Sequence, residues 1–70
     1  MEDLLYDLRK LGYDLVRISN SSAFYVYTVS GEKSCCVSCI FFSCALRHGY
    51  SYAVHYNEIT STLIVRFKLL

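Results

Sequence analysis

Cys36, Cys39, Cys44 and His48 fall in the order C-x2-C-x4-C-x3-H, which counts like a compact zinc site. Thiolate and imidazole are ligands that zinc takes readily. The spacers do not suit it. A zinc knuckle wraps short loops of glycine and polar residues around the ion. Here the spacers are Ile40-Phe41-Phe42-Ser43 and Ala45-Leu46-Arg47. On one continuous helix these four side chains would be spread over more than two turns and could not converge. Cysteine is also among the most often buried residue types. The four cysteines are therefore read as packing residues, with no metal and no cofactor.

Cys44 and His48 are four apart on the same helix, within reach of each other. A thiolate–imidazole pair is the minimum for cysteine nucleophilic catalysis. Their neighbours are apolar, which raises a thiol pKa, and no carboxylate in this stretch could orient the ring. Cys35-Cys36 is likewise read as packing. His55 is the other histidine, and a metal-free ribonuclease could use it with nearby tyrosines and arginines. The six carboxylates are scattered, and no glycine-rich phosphate loop is present. No catalytic residue is expected, and the chain reads as a non-enzyme.

The elements that hold these residues follow from periodicity. Leu4, Leu5, Leu8 and Leu11 mark an amphipathic helix over 2–11. Glu2 and Asp3 suit its positive start, Arg9 and Lys10 its negative end, and Gly12 its stop. Residues 13–19 and 23–29 read as strands around an Asn20-Ser21-Ser22 turn. Residues 34–37 suggest a short third strand across a Ser30–Lys33 turn. Ser38 then caps a helix from Cys39 to His48 that Gly49 ends. Tyr50–Tyr56 and Thr62–Leu69 alternate as strands. The expected order is α-β-β-(β)-α-β-β, a single α+β domain over 1–70. Its sheet has four to five antiparallel strands with helices on one face.

Composition narrows the class. The chain has 70 residues, 54% of them hydrophobic and 19% charged, with no proline, so it reads as folded rather than disordered. A chain of this size buries only ~60% of its unfolded surface, and a second subunit is one way to make up the deficit. The formal charge of +1 is too small for a nucleic-acid binder that works by electrostatics, so nucleic acid is a secondary expectation. The start is acidic and amphipathic, unlike a signal peptide. No run reaches the ~18 apolar residues of a membrane span. A cytoplasmic protein with reduced cysteines and no membrane contact is expected.

Two surfaces emerge from the spacing. The apolar run 35–46 is expected to be covered on both faces. Phe41, Cys44 and His48 lie on one side of the helix, and Cys39, Phe42 and Leu46 on the other. The second set is a candidate homodimer contact if the leucines of the first helix do not cover it. On the sheet, Tyr25 and Tyr27 share one side of their strand, Tyr52 and Tyr56 one side of theirs, and Arg66 and Lys68 point outward. Together these six form the candidate partner-binding face. Tyrosine suits such a role because it joins a large apolar area to a polar tip. The same mixture suits single-stranded RNA.

The opening Leu4-Leu5-Tyr6-Asp7-Leu8-Arg9-Lys10-Leu11-Gly12-Tyr13-Asp14-Leu15-Val16-Arg17 resembles the start of HicA-type toxins. Those are small α-β-β-β-α domains, similar to double-stranded-RNA-binding domains, that cleave mRNA. Their catalytic histidine lies in a Gly-Ser-His motif opening the second strand. The matching place here is Asn20-Ser21-Ser22-Ala23-Phe24, without a histidine, so the activity is not carried over. In size and economy the chain resembles inhibitors encoded by phages and mobile elements, anti-CRISPR and other anti-defence proteins among them. That resemblance implies a small viral-type protein that occupies a surface on a host target. The expected function is stoichiometric protein–protein interaction, with an RNA-binding or HicA-like RNA-cleaving module as the alternative.

Overall fold

The computed structural model describes all residues, Met1–Leu70. Helix α1 (Glu2–Lys10) places acidic residues in its first turn and basic ones in its last. It buries Leu4 and Leu8, one face of the leucine repeat. Gly12 ends it with φ +103°, a backbone angle open to glycine and costly for other residues. Strands β1 (Tyr13–Arg17) and β2 (Ala23–Thr28) form a hairpin, with Val16 opposite Tyr25 and Asp14 opposite Tyr27.

The expected third strand does not form. One isolated bridge joins Lys33 to Tyr27, and the chain then leaves the sheet. The Ser34 N–H still donates to the Val26 carbonyl, but the Ser34 hydroxyl turns to the Cys36 carbonyl at 2.6 Å, a local bond that bends the chain away. Helix α2 (Cys39–Arg47) begins after Ser38 as expected, but the Ser38 side chain does not cap it. Its hydroxyl lies 3.4 Å from the Tyr13 hydroxyl instead, which ties the helix start to β1. Strands β3 (Tyr50–Asn57) and β4 (Thr62–Leu69) form the second hairpin, closed by Asn57, whose Oδ1 accepts from the Ile59 N–H at 3.0 Å.

The sheet is antiparallel throughout in the order β1-β2-β4-β3. Both helices lie on one face, giving the two-layer α+β architecture read from the sequence. Phe24 and Val26 from β2 and Leu63, Val65 and Phe67 from β4 meet Leu4, Leu8, Phe41, Cys44 and Ala45 in a single core. Phe41 is its centre. Its ring lies 6.2 Å from Phe67 at 20° and 5.2 Å from Tyr13, edge-on.

Helix α2 is not covered on both faces. Phe41, Cys44 and Ala45 are buried, whereas Ile40 is 58% and Leu46 51% exposed. Helix α1 packs chiefly against β1 and meets the Cys44–His48 side of α2 through Asp7, while Cys39 and Leu46 on the other side stay exposed. Periodicity set the two sides of α2 correctly but not which of them α1 would meet.

Candidate functional site

Two groups of side chains have chemical potential. The first joins the helices. His48, the C-cap residue of α2, meets Asp7 of α1 with 2.7 Å between Nε2 and Oδ2. The carboxylate missing from the α2 stretch is thus supplied from 41 residues away. The repeat of α1 puts Asp7 one residue before Leu8, at the margin of the buried face, but nothing in the pattern pairs it with His48. The His48 hydrogen bond is the main cause holding the Asp7 carboxyl below its ordinary 3.8; the charges of His48, Lys10 and Arg47 act the same way, and desolvation opposes them. Asp7, His48, Lys10, Arg47 and Leu11 line an open hollow of about 530 Å³.

Cys44 completes an Asp–His–Cys set, with one ligand-type atom from each residue within 4.8 Å of the others. As a catalytic site it lacks access, because Cys44 is 0% exposed and no substrate atom can reach its sulfur. Donors of these three types fit zinc. Against that, Asp7 already pairs with His48 and with Lys10 at 3.9 Å, and Arg47 adds a second positive charge. These contacts favour a polar clasp between two helices.

The C-x2-C-x4-C-x3-H spacing does not gather. Cys35, Cys36 and Cys39 are exposed, Cys44 is buried, and all four are free. The Cys36 thiol is pushed up, first by its hydrogen bond to Cys35, then by that neighbour's charge and by desolvation. A raised pKa leaves less thiolate, the reactive form.

The second group is the sheet face that the helices leave uncovered. Directly opposed residues of an antiparallel pair point the same way, so the registers define this face. One row crosses all four strands: Val16 on β1, Tyr25 on β2, Ile64 on β4 and His55 on β3. Arg66 lies in the next row, between Ala23 and Ala53, and is exposed. Lys68 follows opposite Ser51, and Tyr27 lies two residues beyond Tyr25. Tyr25, Tyr27, Arg66 and Lys68 therefore share one face.

Tyr52 and Tyr56 do not join them. They oppose Phe67 and Leu63, core residues, so they point to the helix side. Tyr52 stacks on Phe42 at 4.2 Å and 19°. Alternation alone places two tyrosines on one side of a strand, but only the β3–β4 register decides which side of the sheet that is. Of the α2 set, Phe42 is half-buried against Tyr52, while Cys39 and Leu46 are exposed. Val16, Ile64 and His55 are the face residues that the sequence grouping omitted. Ile64 was visible in the alternation of β4, but its row mates needed the strand order. No protein-family model, curated protein or solved structure matches the chain. No helix is long and apolar enough to cross a membrane.

Proposed function

We propose that this chain is a non-enzymatic protein-binding module, an inhibitor or adaptor of the phage or mobile-element anti-defence type. It acts in the cytoplasm by laying the open face of its sheet on a target. The observation that carries the reading is the grouping of Val16, Tyr25, Tyr27 and Ile64 with Arg66 and Lys68 on a face that neither helix covers. Aromatic and Arg side chains are the residue types that dominate binding energy at protein interfaces. The sealed sulfur of Cys44 supports the non-enzymatic half of the reading.

The test is affinity capture with the tagged full chain, followed by reconstitution with the purified target. Tyr25→Ser and Arg66→Ser should each weaken the complex at least tenfold. Tyr6→Ser, an exposed tyrosine on α1, should not. Equal capture by all three variants would overturn the proposal. The same aromatic–basic grouping also favours a second reading as a single-stranded RNA platform of HicA-like character. RNA affinity that falls steeply with salt would select that reading, and the formal charge of +1 weighs against it.

A further inference from the structure

The two edges of the sheet differ sharply. At one edge, β1 is five residues long and carries Asp14 and Arg17, with Asp14 held by Arg9 at 3.2 Å. Short length and charge are standard ways of blunting an edge. At the other edge, β3 is eight residues long, Tyr50-Ser51-Tyr52-Ala53-Val54-His55-Tyr56-Asn57, without proline, lysine, arginine, aspartate or glutamate. It pairs with β4 along its whole length in an unbroken register, so no bulge twists it away. Nothing covers it, since Tyr52, Ala53, Val54, His55 and Tyr56 are all exposed.

Hydrogen-bond parity shows what the edge offers. The Leu70 N–H donates to the Gly49 carbonyl. Bonding residues alternate along an antiparallel ladder, so Ser51, Ala53 and His55 turn their backbone groups toward β4. Tyr50, Tyr52, Val54 and Tyr56 turn theirs to the free side. The same four residues point their side chains to the helix face, where Tyr52 is 41%, Val54 40% and Tyr56 40% exposed. Phe42 continues this apolar strip onto α2, and Leu46 stands one turn further along the helix.

We propose that β3 is a self-pairing edge, on which two copies of this chain join antiparallel about a two-fold axis normal to the sheet. Such an axis keeps both helix layers on the same side, so only pairings between residues of like parity are allowed. Centred on Ala53, the pairing sets Tyr50 against Tyr56 of the second copy and Tyr52 against Val54 of the second copy. Every outward backbone group from Tyr50 to Tyr56 then finds a partner. A second copy suits this edge better than a charged peptide because β3 itself carries no formal charge, so nothing on it repels its own image. The exposed parts of these residues come to roughly 600 Å² over both copies, smaller than a standard specific interface, so the association is weak. The dimer is therefore dependent on concentration. It leaves the opposite face, with Tyr25 and Arg66, free on both copies, and its test is independent of that surface.

The test is sedimentation velocity of the purified full chain under reducing conditions, from about 10 μM to about 1 mM, which brackets a weak association. The mass should rise with concentration from 8.1 kDa toward twice that value. Val54→Pro removes one outward N–H and none of the β3–β4 bonds, so it should stay monomeric at every concentration. If proline at this position prevents folding, Val54→Lys gives the same reading, because it sets two ammonium groups close across the axis. A wild-type chain that is monomeric throughout overturns the proposal. So does a dimer that persists in the folded Val54 variants.

Discussion

Replacing Phe41 tests the architecture at its most crowded point. The side chain is wholly buried and its ring meets those of Tyr13, Phe42 and Phe67 at 5.2, 5.6 and 6.2 Å. Truncation to Ala removes the ring from both layers at once and should destabilise by about 3–5 kcal/mol. A domain of this length has a total stability of about 3.5–10 kcal/mol, so Phe41→Ala should remove at least about a third of it and, at the lower end of that range, all of it. Phe41→Leu keeps most of the volume and loses the ring contacts, about 1–2 kcal/mol. At about 4–8 °C per kcal/mol, that lowers Tm by roughly 5–15 °C. Tyr25→Ala on the open face is the comparator. It gives up only cross-strand contacts with Val16 and Ile64, and should lose no more than about 1 kcal/mol. Thermal melts followed by circular dichroism, with urea titrations for ΔG, measure all three. If Phe41→Leu melts no lower than Tyr25→Ala, the placement of Phe41 between helix and sheet is wrong.

Other outcomes follow from the same geometry. Asp7 has a folded-state pKa below its ordinary 3.8, so the stability it contributes is present above about pH 4 and is lost as pH falls through that depressed value. Wild type should accordingly melt above Asp7→Asn at pH 6, and the gap should close in strong acid; a gap independent of pH would refute the clasp. Brief alkylation of the native protein should label Cys35, Cys36 and Cys39 and spare Cys44, with Cys36 slower than Cys39 because its thiol is pushed up. Peptide mass spectrometry reads this, and early modification of Cys44 would contradict its burial. Adding zinc or a chelator should leave the melting curve unchanged, and a rise with zinc would assign Asp7, Cys44 and His48 to a metal.

Much of the fold was legible because its signals are local. The leucine repeat, the stops at Gly12 and Gly49 and the alternation of Thr62–Leu69 each predict an element within a residue or two of where it forms. The failures share one cause, which is that they depend on contacts between distant segments. Alternation cannot say that Tyr52 opposes Phe67 rather than facing solvent with Tyr25. Residues 34–37 have the composition of a strand, but β4 takes the place beside β2 that a third strand would need. The Asp7–His48 contact lay outside any local window. Half of the candidate face was legible as pairs along β2 and β4. Its assembly needed the strand order.

That order has a consequence for how the sheet comes together. It consists of two hairpins, each between neighbours in sequence, joined where β2 meets β4 through the pairs Ala23–Arg66, Phe24–Val65 and Tyr25–Ile64. This seam is the shortest ladder of the three, and it closes only after the intervening loop and α2 have been folded over it. Loop-closure entropy sets such a joint late in assembly. It is also the line along which the finished sheet would part first, with amide exchange at Phe24 and Val65, the bonded pair of the seam, outrunning that in the middle of the β3–β4 ladder. The row from Val16 to His55 runs across this line, so parting would separate Val16 and Tyr25 from Ile64 and His55. A partner gripping both sides would act as a staple, slowing that exchange in proportion to its occupancy.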